Sequence, residues 1–244
     1  MKPDSQRPPR QEPRKSSRAA GTSRKLRGTY VERAYQEIRR RILDNYYAPA
    51  HQVLELELAA DLGMSRTPVR EALVRLQNER FVQIIPRHGM RVVPMSIQDL
   101  REVYEVLTVL ELTAIDRLAR SKPDTKTLQA IDRALDDMDR ALREQDIDGW
   151  VKADEGFHRT LVQLSGNSRL AAVADTLWEQ GHRARMTTVR LRTSLNLSNR
   201  EHRAVVRAIR RSDAREACAL HEKHRTRATD EIIRLLQQTR LASF

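Results

Sequence analysis

Aromatic residues are scarce in this chain of 244 residues: they make up 4% of it, whereas charged residues make up 32%. A large β-sandwich would draw on more aromatic and β-branched side chains, so this composition favours a helical protein. The single cysteine, Cys218, excludes an internal disulfide and suits a reducing compartment. Because Cys218 falls within a helical pattern, we interpret it as a small buried hydrophobe.

Long apolar runs are lacking as well. No stretch approaches the roughly 20 consecutive apolar residues that a membrane helix needs, and the basic N-terminus has no apolar segment of the kind found in secretory signals. We therefore expect a cytoplasmic protein that has no membrane partner.

Positive charge is what the chain has in excess, with a formal net charge of +12 that suggests a polyanionic partner. Most of this excess lies in residues 1–28, which contain nine Lys or Arg, two acidic residues and four of the nine prolines. This composition predicts a disordered basic tail. The tail is either a solvated extension or an arm that adds non-specific phosphate contacts. The rest of the chain must contact a polyanion through locally placed arginines.

Residues 29–95 have the pattern of a winged helix-turn-helix. Apolar spacing predicts helices over about 30–45, 55–62 and 65–78, with Gly63 in the turn between the last two. Two short strands are predicted to follow, at 81–85 and 90–93. Three helices followed by a short hairpin is the element order of this DNA-binding motif.

From residue 96 to about 240 the pattern is helical throughout. Six helices are predicted, at about 97–120, 124–145, 147–165, 168–192, 197–211 and 213–238. No heptad repeat is sustained, so we expect an all-helical bundle and not a coiled coil. The chain is thus predicted to be mainly α, with a winged helix-turn-helix followed by a six-helix bundle.

The segment from Leu58 to Leu76 carries the pattern LA-x-x-LG-x-S-R-T-P-V-R-E-A-L-x-x-L. This long pattern resembles the GntR family of bacterial regulators. Ser65, Arg66, Thr67 and Arg70 begin the predicted recognition helix, whose N-terminus would enter the major groove. Arg66 and Arg70 are four residues apart, so they project from neighbouring turns of one face, where each can hold a guanine or a phosphate. The resemblance implies that both arginines contact DNA.

Other DNA contacts are less firmly indicated. Arg75 can reach DNA or pair with Glu71 on its own helix, and His88 can touch DNA from the wing. The wing glycine, Gly89, is expected to let the backbone approach the minor groove. The sequence departs from the family in having Ala50 and Arg80 where glycine is usual. It also has Leu56 at a position where some relatives place an arginine that contacts DNA.

Asp154 and His158 are four residues apart on one predicted helix, and His202 and His224 lie on two later helices. A bundle can direct these four side chains to one point. One carboxylate and three imidazoles suit a divalent transition metal such as Zn²⁺, Ni²⁺ or Mn²⁺. The spacing alone leaves open that these are unrelated surface or structural histidines.

Residues 96–238 resemble the FCD ligand-binding domain of the FadR subfamily, through the positions just described and through Ser165-Gly166-Asn167. Six helices are similar to its VanR-like branch. The resemblance implies that Asp154, His158, His202 and His224 bind a metal, with Zn²⁺ preferred. It leaves His221 as a group that orients a ligand, while His182 is either structural, solvent-facing or pocket-lining.

The effector is less well defined by the sequence. Family members commonly have an arginine that binds the effector's carboxylate where this chain has Leu107. Arg185 or Arg192 could replace it, or the effector is less acidic. Asn167 and Trp178 either shape the pocket or serve as a helix cap and a packing residue.

These features lead us to expect a homodimeric repressor that binds a pseudo-palindromic DNA operator in the bacterial nucleoid and responds to a small-molecule effector. Two alternatives use the same residues. A metal-dependent hydrolase is one, although HExxH, nucleophile-elbow and P-loop motifs are all missing. A metal sensor, in which the ion is itself the signal, is the other.

Overall fold

A computed structural model describes residues 17–238, with side chains from residue 29 onward. The N-terminal unit contains helices α1 (Ser17–Leu43), α2 (Glu55–Asp61) and α3 (Arg66–Asn78). Three short strands, β1 (Gln52–Val53), β2 (Val82–Ile85) and β3 (Gly89–Val92), form an antiparallel sheet in the order β1-β3-β2. Because Val82 pairs with Val92 and Ile85 with Gly89, β2 and β3 form the hairpin predicted as the wing.

Apolar side chains of α1, α3 and the wing share one core. Ala34, Ile38 and Ile42 of α1 recur at helical spacing and are fully buried, as the periodicity predicted. They pack with the buried face of α3, which consists of Val69, Ala72, Leu73 and Leu76. The opposite face of α3 is therefore left toward solvent.

Two features of this unit differ from the sequence prediction. Helix α1 begins at Ser17, inside the segment 1–28 that was predicted to be disordered. The four prolines of that segment all precede Ser17, so none of them interrupts the helix. Residues 1–16, the rest of the predicted tail, lie outside the described residues. Strand β1 was missed because two residues are too few to show an alternating pattern.

The C-terminal unit is the predicted bundle of six α-helices. These are α4 (Ile97–Arg120), α5 (Thr125–Arg143), α6 (Ile147–Leu164), α7 (Ser168–Thr188), α8 (Leu195–Arg210) and α9 (Ala214–Gln238), with a short 3₁₀ turn at Val189–Leu191. The helix starts follow from local chemistry. Ser96, Asp124 and Asn167 each occupy the N-cap position and accept hydrogen bonds from backbone amides of the first turn.

The bundle contains an unusual set of buried polar residues. Glu111 of α4, His158 of α6, His202 of α8 and His221 and His224 of α9 are each at most 3% exposed. They lie among the apolar side chains of the bundle, where burial of an ionisable group is costly unless it has a partner. Helix α7 borders this interior and also contacts α1, so it links the two units.

Candidate nucleic-acid interface and metal centre

The first turn of α3 presents a polar surface. Ser65 has extended backbone angles at the N-cap position, and its side chain makes no capping hydrogen bond. Ser65, Arg66, Thr67 and Arg70 are all exposed, with the two arginine side chains 65% and 69% accessible. This arrangement follows from the burial of the opposite face of α3. These four of the residues predicted to contact DNA are thus free to reach a groove.

A carboxylate lies between the two arginines. Glu55 Oε2 is 3.8 Å from Arg66 Nη2, and Glu55 Oε1 is 3.8 Å from Arg70 Nε. The sequence analysis did not single out Glu55, because it precedes the recognition helix on α2. Its charge attracts both guanidinium groups toward one point while leaving them exposed.

Arg75 makes several contacts within the DNA-binding unit. Its guanidinium lies 3.6 Å from the centre of the Tyr35 ring and forms ion pairs with Glu32 at 2.7 Å and Glu79 at 3.5 Å. Glu79 in turn accepts a hydrogen bond from Tyr35 Oη at 2.7 Å. These partners lie on α1 and at the end of α3, so Arg75 serves to fasten those helices together. The side chain is also 45% exposed, so the DNA contact predicted for it stays a prediction.

The wing also departs from expectation in one respect. His88 is exposed near the wing tip, with Nδ1 3.1 Å from the Pro86 carbonyl. Gly89 is buried, however, and a Cβ atom on it would lie 2.1 Å from the carbonyl oxygen of Val53 in β1. The close approach that requires glycine at this position is to β1, within the protein. The predicted approach of the wing to the minor groove stays a prediction.

Ala50 and Arg80, which stand where the family usually has glycine, both have left-handed backbone angles. Ala50 has φ 63° and Arg80 has φ 62°. A Cβ atom is disfavoured in this region, which is why glycine suits both turns. The chain keeps the turns and accepts the strain.

Three imidazoles meet in the interior of the bundle. One nitrogen from each of His158, His202 and His224 lies within 4.8 Å of the others. His202 Nε2 and His224 Nε2 are 3.0 Å apart. Asp154 Oδ1 lies 3.8 Å from His202 Nε2, at the edge of the group. The structure therefore brings together the four residues that were predicted to bind a metal.

Acidic residues orient two of these imidazoles from outside the group. His224 Nδ1 donates a hydrogen bond to Glu201 Oε2 at 2.7 Å, which leaves the lone pair of its Nε2 directed toward His202. His158 Nδ1 lies 3.3 Å from Glu111 Oε1, and the other oxygen of Glu111 is 2.8 Å from His221 Nε2. Carboxylates commonly hold metal-binding histidines in this way.

Burial also sets the charge of the group. It holds the pKa of His202 and of His224 well below its usual range, with the neighbouring imidazoles contributing. Both rings are thus neutral, which is the form that binds a metal. Burial opposes ionisation of Glu111, but the charge of Arg225 and the neighbouring imidazoles of His158 and His221 prevail and hold its pKa well below its usual range.

Two unpartnered donors lie beside the imidazoles. Arg225 forms an ion pair with Glu111 at 3.1 Å, and its guanidinium lies 5.1 Å from the centre of the Tyr104 ring. Tyr104 Oη and Arg225 Nη2 are buried without a hydrogen-bond partner. Arg185 adjoins them, since its Nη1 and Tyr104 Oη both approach Gly181. Buried donors without partners mark a place where an anion would be stabilised.

The sequence analysis missed Glu111, Glu201 and Arg225 as site residues. A signal for two of them was present. Glu111 falls in the apolar stripe of α4, after Leu107 and before Ala114, and Arg225 falls in that of α9. A charged residue within an apolar stripe indicates a buried partner.

Three other residues considered for the effector site are engaged elsewhere. Asn167 accepts hydrogen bonds from the amides of Arg169 and Leu170, both at 3.1 Å, and so caps α7. Arg192 forms an ion pair with Glu231 at 3.1 Å. His182 is 3.5 Å from Glu155 and is partly exposed, outside the group of imidazoles.

A winged helix-turn-helix joined to a helical bundle with a buried polar centre defines a DNA-binding regulator with a sensor domain. Residues 30–92 match the family of bacterial regulatory proteins called gntR, and residues 102–239 match the FCD domain. The chain therefore belongs to the GntR family and carries an FCD domain.

Individual relatives agree with this assignment. An uncharacterized HTH-type transcriptional regulator of Agrobacterium vitis is 42% identical over 134 residues, covering 54% of this chain and 78% of the relative. The gluconate operon transcriptional repressor of Bacillus subtilis is 30% identical over 151 residues, covering 61% of this chain and 60% of that protein. The structure of E. coli McbR/YncC, 18% identical, has a similar fold with a TM-score of 0.71, covering 84% of this chain and 97% of that one.

The domains and relatives indicate a transcriptional regulator and not an enzyme. Among residues 17–238, no helix has the length and apolar character needed to cross a membrane.

Proposed function

We propose that this protein is a repressor whose operator binding is controlled by a small organic acid bound at a metal centre in the FCD domain. The observation that carries this proposal is the buried set of His158, His202 and His224, which offer one ring nitrogen each within 4.8 Å of one another. Glu201 accepts a hydrogen bond from His224, and Glu111 lies 3.3 Å from His158. The six helices of the FCD domain support placing it in the VanR-like branch of the FadR subfamily.

The donor set fits a divalent transition metal, with Zn²⁺ preferred over Ni²⁺ or Mn²⁺. The three imidazoles and the carboxylate of Asp154 would hold it. A metal bound there would supply a Lewis-acidic anchor for an oxygen atom of the effector.

The neighbouring cations support an anionic effector. Leu107 removes the arginine that relatives place on α4, but Arg225 of α9 brings a guanidinium to the Tyr104 ring on that same helix. Tyr104 Oη and Arg225 Nη2 are free to donate to a carboxylate. Arg185 adds a second positive charge from α7. We therefore favour Arg185, Arg225 and Tyr104 as effector contacts over Asn167, which caps α7, and Arg192, which pairs with Glu231.

Repression by a dimer is the expected mode of action. The Bacillus subtilis relative is a repressor of the gluconate operon. One recognition helix covers only a half-site, so a homodimer would read a pseudo-palindromic operator in double-stranded DNA with Arg66 and Arg70 of each copy. Val106 and Val109 are large apolar residues exposed on α4, which is consistent with a surface that a second copy covers.

The test begins with the operator, obtained by selecting bound sequences from a genomic DNA pool. Metal content and operator affinity are then measured for the wild type, for His158→Ala and for His182→Ala as a matched control. We expect the purified wild type to hold about one metal ion per chain, His158→Ala to lose it, and His182→Ala to keep it. Equal metal content in all three proteins would contradict the metal centre, and failure to enrich any sequence after refolding without ligand would contradict specific DNA binding.

A further inference from the structure

The two faces of α7 have different surroundings. Arg185 lies on the face toward the imidazoles, whereas Arg183, two residues away, lies on the face toward the DNA-binding unit. Arg183 lines a cleft of about 320 Å³ between the two units. The cleft is bounded on one side by the end of the wing and on the other by α4 and α7.

Apolar side chains make up much of the cleft wall. Phe81 and Pro94 contribute from the wing side, and Met95, Val103 and Leu177 from the sensor side. A volume near 320 Å³ falls within the range of about 300–1,000 Å³ that is usual for small-molecule pockets. The cleft can therefore hold a small organic molecule with an apolar body.

Arg183 is a buried cation without a counter-ion. It is 7% exposed, and its Nη2 donates to the carbonyl oxygen of Val93 at 3.1 Å. Its Nη1 is buried and has no hydrogen-bond partner. Burial lowers its pKa, and no carboxylate of the part of the chain that the structure describes forms an ion pair with it. A buried guanidinium is normally paired, so this one lacks a partner that the described residues do not supply.

The acidic residues of the cleft are occupied elsewhere. Asp99 accepts hydrogen bonds from the amide and the hydroxyl of Ser96, at 2.9 and 2.7 Å, as part of the cap of α4. Glu102 is exposed and accepts a hydrogen bond from Gln98 at 3.0 Å. Neither carboxylate forms an ion pair with Arg183, so its Nη1 remains available to an anion.

We propose that this cleft is a second ligand site, distinct from the metal centre, for a monoanion with a compact apolar body such as a medium-length carboxylate. The carboxylate would bind Arg183 Nη1 through a charge-assisted hydrogen bond, and the apolar body would pack between Phe81, Val103 and Leu177.

Such a ligand would act directly at the junction of the two units. Besides the Arg183 contact with Val93, Gln180 of α7 donates to the carbonyl oxygen of Glu79 at 3.0 Å. Both contacts border the cleft and join α7 to the two ends of the wing, at Glu79 before β2 and at Val93 after β3. A ligand bound there therefore favours one relative placement of the recognition helix, without contacting the metal ligands.

The experiment uses the full chain loaded with Zn²⁺ and labelled with ¹³C at the methionine methyl groups. Octanoate is the probe, and octanamide, which has the same apolar body without the charge, is the matched ligand control. Met95 lies in the cleft, so its methyl resonance should shift and saturate with octanoate and shift much less with octanamide. Arg183→Gln keeps a donor for Val93 but removes the charge, and it should weaken octanoate binding about tenfold or more. Arg183→Lys should keep part of the affinity for octanoate that Arg183→Gln loses.

Two controls separate this site from the metal centre. Arg185→Gln alters the opposite face of α7 and should leave the Met95 shift unchanged, as should His158→Ala. If octanoate binding is lost in these variants and kept in Arg183→Gln, octanoate binds at the metal centre and the proposed cleft site is wrong. Equal shifts with octanoate and octanamide, or no shift of Met95 at all, would also overturn it. These outcomes leave the metal content of the wild type, and so the proposed function, untouched.

Discussion

Arg39 of α1 donates a hydrogen bond from Nε to Glu179 Oε2 of α7 at 2.8 Å, and this ion pair joins the DNA-binding and sensor units. The two side chains are 17% and 19% exposed. Burial raises the pKa of Glu179 above its usual value, and the charge of Arg39 only partly offsets this. The pair therefore fixes the relation of the two units at a cost in desolvation.

Replacing Arg39 and replacing Glu179 should change the free energy of unfolding differently. Arg39→Met leaves a half-buried carboxylate unpaired and should lower the free energy of unfolding by roughly 1–2 kcal/mol at neutral pH. Glu179→Gln removes the group that is costly to ionise, so it should leave the free energy of unfolding nearly unchanged or raise it. Urea unfolding of each variant measures this, with the exposed Arg120→Met as a control. Equal losses for the two variants would show that the pair is a net source of stability.

The pH dependence of the same pair has a definite sign. A carboxyl group whose pKa is raised in the folded state contributes stability that is fully present below its unfolded pKa, near 4.5, and lost as the pH rises through the folded value. Relative to the wild type, Glu179→Gln should therefore become more stable as the pH is raised from about 4 to 7. A constant difference over this range would contradict the raised pKa.

The left-handed backbone at Ala50 predicts a stabilising substitution. An L-residue there costs roughly 1–2 kcal/mol, whereas glycine adds about 0.5–1 kcal/mol of chain entropy. Ala50→Gly should therefore raise the free energy of unfolding by about 0.5–1 kcal/mol. The control is Ala60→Gly, at an exposed position within α2, which should lower it by about 1 kcal/mol. Thermal melts of both variants measure the change in stability. A loss of stability in both would mean that Ala50 is not strained.

Arg66 and Arg70 should differ from Arg75 in what their loss affects. Arg66→Ala and Arg70→Ala should each weaken specific operator binding by roughly 1–3 kcal/mol and leave the melting temperature nearly unchanged, because both side chains are exposed. Arg75→Ala removes the contact with Tyr35 and the pairing with Glu32, so it should lower stability by about 1 kcal/mol. Operator binding by fluorescence anisotropy, together with melts, separates the two effects. Unchanged operator affinity in both Arg66 and Arg70 variants would overturn the assignment of α3.

The hydrogen bond from His224 to Glu201 predicts an effect on metal affinity. Glu201→Gln weakens the acceptor that orients His224, and it should reduce Zn²⁺ affinity about 10–100-fold. Competition with a chromophoric chelator measures this. Glu216→Gln, at an exposed position near the start of α9, should have no effect. If Glu201→Gln binds Zn²⁺ like the wild type, Glu201 does not support a metal ligand.

The sequence alone determined the elements and much of the site. Helical spacing in α1 and α3, the caps at Ser96 and Asp124 and the segment from Leu58 to Leu76 are local features. The resemblance added the four metal positions, which the structure brings together. Local rules fix where a helix begins and which face it buries, and these were sufficient to predict the order of domains and the exposed arginines.

Only the tertiary structure decided how the buried charges are paired. Glu111 meets His221 across 110 positions of sequence, and Arg39 meets Glu179 across 140. Such contacts depend on the relative placement of packed helices, which no local pattern specifies. For the same reason the sequence could not show that Arg75 stabilises α1, that Gly89 is required by β1, or that Arg183 is left without a counter-ion between the two units.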